Sequence, residues 1–188
     1  MNDDFEYYLP NRVGNSPVIA KTASCPHYME YMKFVEGKPK MMEFGLVIDE
    51  INPHLYDCHM VPNLLVSKKI FDVLSPMNIP SIQLLEATLH AEGKSIENTY
   101  WVVNIHHDIK CIDEEKSDLI VEIRWIEDVK KVVLDRELLA KIPLEERLIF
   151  ALGEQLNYHL YHKSVVDKIM ATEPTGIAFD KFEDFTDC

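Results

Sequence analysis

Two stretches of the chain line up without a gap when the sequence is shifted by 95 residues. Leu65 falls on Leu160, Lys68 on Lys163, Ile70 on Val165, Phe71 on Val166 and Asp72 on Asp167. Leu74 then falls on Ile169, Ile82 on Ile177 and Leu84 on Phe179. Each stretch reads as a short strand, one short amphipathic helix, a proline-containing turn and another strand. The turns are Asn78-Ile79-Pro80-Ser81 and Glu173-Pro174-Thr175-Gly176. Two copies are too few for a solenoid, which needs about three stacked units. The expectation is therefore one α+β body, with a mixed or mostly antiparallel sheet and two strand–helix–strand units at that offset.

The first helix is the better marked. Ile70, Phe71 and Leu74 share a face, Ser67 stands where an N-cap belongs, and Pro76 follows as a terminator. Ile82–Ala87 and Tyr100–Ile105 read as strands joined by a polar turn around Gly93. The second of these is β-branched and aromatic, the composition of a sheet centre. Ile120–Ile123 and Lys131–Leu134 add two more strands. Periodicity leaves Leu144–Leu152 open between helix and strand. Residues 1–64 hold six of the ten prolines and are the least regular part. Strands are expected there at Val18–Lys21, Met42–Ile48 and Leu55–Met60, and a helix at Tyr28–Val35. The chain divides into an irregular part, 1–63, and an α+β body, 64–188, within one compact domain.

Nineteen basic residues against thirty-two acidic ones give a net charge of −13, while 47% of residues are hydrophobic. Such a chain builds a core, but it lacks the clustered cations that hold nucleic acid or anionic lipid. No run approaches the ~18–20 apolar residues of a membrane span. The start, Met-Asn-Asp-Asp-Phe-Glu, is acidic where a signal peptide is basic, so a cytoplasmic location is expected. Cys25, Cys58, Cys111 and Cys188 form no CxxC pair and are expected as free thiols. None of the six glycines sits in a phosphate loop or a nucleophile elbow.

The chemistry-bearing residues are few. His106-His107-Asp108 with Cys111 is the best metal or thiol constellation. Adjacent histidines at a strand end point to opposite faces, and carboxylate and thiolate differ in hardness. His159 and His162 would lie on opposite faces of a strand or together on a helix. Cys25-Pro26-His27 and Cys58-His59 are thiol–imidazole neighbours in sequence only. Asp113, Glu114, Glu115 and Asp118 open an acidic stretch that runs through Glu122 and Glu127 to Asp128. It lacks the spacing and glycine of a calcium loop and reads as a solvated or protein-docking loop. Trp125, after Arg124, is the better surface aromatic of the two tryptophans. More acids, Asp180, Glu183, Asp184 and Asp187, surround Phe179, Phe182 and Phe185 at the C-terminal end.

Several segments, in order, resemble a family of bacterial immunity proteins from polymorphic toxin systems. They are Leu65–Ile70 with Val73-Leu74, Ile79–Gln83, Tyr100–Ile105, and Ile112-Asp113 with Glu115-Lys116-Ser117. Val133-Leu134-Asp135, Ile149-Phe150 and Thr175–Phe179 follow. The resemblance spans about residues 64–179 and departs from the family pattern at Leu160–Lys163. It implies an α+β protein that binds and neutralises a cognate toxin, and it turns residues 147–152 toward strand. It brings no catalytic residues, metal or cofactor. The expected partner-binding residues are Asp113, Glu114, Glu115, Asp118 and Trp125, facing the cognate toxin, with the basic active site of a nuclease as one complementary target. The readings from other classes are a metal- or thiol-dependent enzyme using His106, His107, Asp108 and Cys111, and an acidic interaction adaptor.

Overall fold

The computed structural model describes residues 3–13, 19–21, 33–37, 41–46, 55–60, 64–91, 94–122 and 125–186. The N-terminal part supplies β1 (Tyr7–Arg12), β2 (Ile19–Lys21), β3 (Met42–Leu46) and β4 (Cys58–His59). Next come β5 (Leu65–Ser67), α1 (Lys68–Leu74), β6 (Ile82–Ala91) and β7 (Lys94–Ile105). A middle segment holds β8 (Asp108–Ile109), β9 (Asp118–Glu122), β10 (Trp125–Lys131) and α2 (Arg136–Leu139). The last part is β11 (Ile149–Leu152), β12 (Gln155–His162), α3 (Lys163–Met170) and β13 (Ile177–Lys181). The fold is α+β, with few helices and mostly antiparallel sheets.

The strands form a six-stranded sheet, β2-β3-β6-β7-β5-β4, a five-stranded sheet, β13-β1-β12-β11-β8, and the ribbon β10-β9. Among the described residues only β3–β6 and β8–β11 pair in parallel. Alternation along the strands creates three cores. Along β7, Trp101, Val103 and Ile105 point into a central core, while Tyr100 and Val102 point away. Along β11, Ile149 and Ala151 enter that central core from the other sheet, while Phe150 and Leu152 face outward. Helices α1 and α3 pack against each other, and Ile70, Leu74, Val165, Val166 and Ile169 complete the central core. On the outer face of the five-stranded sheet, Val129, Val132, Leu134 and Leu139 from the middle segment cover Phe150, Leu152 and Leu160.

The N-terminal part enters both sheets. β1 lies between β12 and β13, although it contains Pro10. β12 pairs only with Tyr7 and Tyr8, so the missing N–H of Pro10 breaks no ladder on that side. Within the expected strand Leu55–Met60 only Cys58–His59 is strand. Of the expected helix at Tyr28–Val35, residues 28–32 lie outside the described residues, and Lys33–Val35 are not helical. The expected strand Lys131–Leu134 is also displaced. β10 ends at Lys131, because its pairing with Asp118 on β9 fixes the register, and Leu134 makes only an isolated bridge to Ile112. Residues 149–152 are strand, after a 3-10 turn at Leu144–Arg147.

Ser67 stands at the N-cap of α1, but its side chain makes no capping bond. Its hydroxyl donates instead to Asp57 Oδ1 at 2.9 Å. Asp57 also accepts from Lys69 Nζ at 3.1 Å and from Thr175 N at 2.9 Å and Oγ1 at 3.0 Å. Burial pushes this carboxyl up, but the bonds from Thr175, Ser67 and Lys69 outweigh it and hold the pKa below the usual carboxylate range. A depressed folded pKa stabilises above the unfolded value, and that stabilisation disappears as pH falls through the folded value. Asp57→Asn is therefore expected to cost about 1–3 kcal/mol at pH 7. Urea titrations at falling pH should show the gap to wild type closing below the ordinary carboxylate pKa. A gap constant from pH 7 to pH 3 would refute this role for the charge.

Candidate functional site

The acidic stretch begins where the chain leaves the five-stranded sheet. Asp113 N donates to Val133 O at 2.8 Å, and Asp135 N donates to Cys111 O at 2.8 Å, so the two segments run side by side. Asp113 then organises a tight turn. Its carbonyl accepts from Lys116 N at 3.2 Å and Ser117 N at 3.0 Å, and its carboxylate pairs with Lys116 Nζ. That bond from Lys116 holds the Asp113 pKa below the usual range. Beside this turn, Asp135 caps α2 by accepting from Leu138 N at 2.9 Å. Arg136 reaches across to Glu183, with N···O distances of 3.0 and 3.2 Å. Glu183 belongs to a 3-10 turn that is anchored by Phe182, which is 2% exposed.

Together these elements line an open groove of about 690 Å³. Its walls carry the carboxylates of Asp113, Glu114, Glu115, Asp135, Glu137 and Glu183, against the cations Lys116 and Arg136. Both cations are already engaged, by Asp113 and Glu183. Glu114, Glu115 and Glu137 are exposed. Carboxylates on one concave surface focus a negative potential outward. The groove thus joins the two acidic regions seen in the sequence, the loop after Ile112 and the C-terminal end. Of the expected binding residues, Asp113, Glu114 and Glu115 line it. Asp118 is exposed at the start of β9, outside the lining. Trp125 begins β10, but its side chain lies outside the described residues, as do those of Glu122, Glu127 and Asp128. The sequence reading missed Asp135, Arg136 and Glu137. The N-cap pattern of an aspartate three residues before Leu138 was the available signal.

Among the described residues the histidines and cysteines do not converge on a metal site. His107 and Asp108 are exposed, and His106 meets Phe34 edge-on with ring centroids 5.1 Å apart. Cys111 is 1% exposed within the outer core, and burial pushes its thiol up. Among the described residues no group of three or more His, Cys, Asp or Glu is placed to hold a metal ion. Cys58 faces the central core with its thiol pushed up to about 12 by burial. His59 packs edge-on against Tyr100 and is pushed down to about 4, mainly by burial. A thiol this hard to ionise is a poor nucleophile at neutral pH. His159 and His162 lie on β12. His162 caps α3 by accepting from Ser164 N at 3.2 Å, and burial pushes His159 down to about 4. Cys25, His27 and Cys188 lie outside the described residues.

Among the described residues no helix is long and apolar enough to cross a membrane. The profile of an immunity protein family (Imm11) matches residues 21–184. The match begins well before Leu64, takes in every residue of the groove, and leaves β1 and most of β2 outside it. No curated protein matches the chain.

Proposed function

The chain belongs to the Imm11 immunity protein family, and from that premise we propose that it neutralises its cognate toxin by laying the acidic groove over a basic surface of that toxin. The fitting target is the phosphate-binding centre of a nuclease, whose cations the groove would meet with complementary potential. The single observation behind this reading is the groove itself. Three segments distant in sequence bring six carboxylates to one surface whose two cations are already paired. Glu114, Glu115 and Glu137 supply the outward charge. Asp113 holds the loop in shape, and Asp118 and Trp125 extend the contact along the β9–β10 ribbon. The complex forms in the cytoplasm, one inhibitor per toxin and without turnover.

The triple variant Glu114→Lys, Glu115→Lys, Glu137→Lys tests it, because none of the three is buried and none holds another element in place. Association is followed by stopped flow, with the purified product of the reading frame immediately upstream tested as the toxin. At low ionic strength the rate constant is expected to fall by about 10–100-fold, since steering changes the encounter rate more than the lifetime. The gap should narrow as salt screens the exposed charges. Equal association rates at low salt would remove the groove from the interface. Co-expression then asks whether the wild-type chain rescues growth against that toxin.

A further inference from the structure

Toxin docking through the acidic groove makes no use of the 95-residue offset, and the structure carries that offset further than the sequence does. Ser67 and His162 both stand as extended residues before a helix, with φ −70°, ψ 170° and φ −63°, ψ 145°. Lys68 pairs with Asp72 and Lys163 with Asp167, each at 2.6 Å. Among the described residues, the non-glycine residues in left-handed conformation are Asn78, at φ 48°, and Glu173, at φ 52°. These two positions are also 95 apart.

The sheets repeat the pattern in register. Four adjacent strands of one sheet run β6-β7-β5-β4, and four of the other run β13-β1-β12-β11. Trp101 lies between Val66 and Glu86. Tyr8 lies between Tyr161 and Lys181, each 95 residues later. Outside them, Cys58 opposes Val66 as Ile149 opposes Tyr161. Isolated backbone bonds correspond too. Ser67 N donates to Asp57 O at 2.7 Å, and His162 N donates to Leu148 O at 2.9 Å. His106 N donates to Ser81 O at 3.0 Å, and Val13 N donates to Gly176 O at 3.4 Å.

The contacts between the halves are reciprocal. Ser81, in the first turn, donates its hydroxyl to Ile149 O on the second outer strand. Gly176, in the second turn, lies against Cys58 O on the first outer strand. Contact of i with j, matched by contact of j with i, defines an isologous two-fold interface. We infer that the chain is a single-chain pseudo-dimer of a four-strand, one-helix unit, with its two-fold axis between α1 and α3. The first copy takes its central strand, β7, from the hairpin after β6. The second copy takes its central strand, β1, from the N-terminal segment that precedes the first copy. Apart from Glu183, the groove lies outside this duplicated body, on the segment that crosses from one copy to the other. Recognition and scaffold are thereby carried by different parts of the chain.

One position breaks the symmetry, and its chemistry says why. In the first copy Val103 N donates to Leu64 O at 3.0 Å. Its counterpart in the second copy is Pro10, which has no N–H to donate toward β12. Pairing of β1 with β12 stops at Tyr8, and a cavity of about 290 Å³ opens beside Leu9, Pro10, Tyr158 and His159. Pro10→Val restores the donor without touching the acidic groove. In the folded variant, hydrogen exchange by NMR should show the new residue-10 amide protected within about tenfold of Val103. A folded variant whose residue-10 amide exchanges about 100-fold or more faster than Val103 would overturn the equivalence. If the variant fails to fold, an experimental structure of the wild-type chain decides. The two four-strand units must superpose by a two-fold rotation in the registers given above, and any other relation refutes the pseudo-dimer. Neither readout involves the toxin.

Discussion

Arg147→Ala is expected to lower stability by about 3–5 kcal/mol, read as a fall in the urea midpoint at unchanged m-value. Arg147 is only 5% exposed. Its Nε donates to Ile142 O at 3.0 Å, and its Nη1 donates to Asp4 O at 2.6 Å and to Tyr7 OH at 2.7 Å. The guanidinium carbon also sits 5.0 Å from the centre of the Phe5 ring. All these acceptors are neutral, so the charge is solvated by fixed dipoles and a π face. Alanine would strand two carbonyls and the Tyr7 hydroxyl in a place that water reaches poorly, and would leave a cavity. The damage should centre on β1, because Asp4 and Phe5 lead into it and Tyr7 begins it. Arg147→Lys keeps the charge but not the fork, and should lose about 1–3 kcal/mol. An alanine variant within about 1 kcal/mol of wild type would mean that β1 is held by its sheet partners alone.

β1 also shows where sequence patterns stop being informative. Tyr100–Ile105 was legible because both faces of β7 are buried, so every position favours β-branched or aromatic residues. Tyr7–Arg12 occupies the corresponding place in the other sheet, but Pro10 and the polar Asn11 and Arg12 disguise it. A proline is tolerated there because β1 and β12 pair only through Tyr7 and Tyr8, a tertiary fact that no local window contains. The displaced strand at Lys131 has a similar cause. Lys131–Leu134 has a suitable composition, but the bulged register against β9 decides where pairing stops. Ser67 looked like a helix cap, and it is spent on Asp57, ten residues earlier.

The candidate site was half legible for a related reason. A run such as Asp113-Glu114-Glu115 is visible as charge, whatever the fold does with it. What turns the run into one wall of a groove is its pairing with Val133–Asp135 and the reach of Arg136 to Glu183, and both are long-range. The C-terminal acids were visible as well, interleaved with Phe182 and Phe185. That Phe182 is buried and Phe185 packs on Tyr158, with centroids 5.4 Å apart, is what brings Glu183 to the loop. The charge at each place could be read from the chain, but the meeting of the two had to come from packing.

At the turn that ends in Gly176, two substitutions three residues apart are expected to have opposite signs. Gly176 adopts φ +85°. A Cβ there would lie 2.8 Å from Tyr56 Cβ and closer still to the Cys58 carbonyl oxygen. That carbonyl has little freedom to retreat, since Cys58 N is bonded to Thr175 O at 3.1 Å and Cys58 pairs with Val66. Gly176→Ala combines left-handed strain of about 1–2 kcal/mol with this backbone clash, for a total of about 3 kcal/mol or more. Glu173, at φ 52°, bears the same strain with an exposed side chain. Glu173→Gly relieves it and should gain about 0.5–1 kcal/mol, net of the extra freedom of glycine in the unfolded chain. Urea denaturation of both variants reads the two signs directly. Because Glu173 and Gly176 lie outside the groove lining, folded Gly176→Ala should still bind toxin with near wild-type affinity. Selective loss of binding without loss of stability would place this turn, rather than the acidic groove, at the toxin.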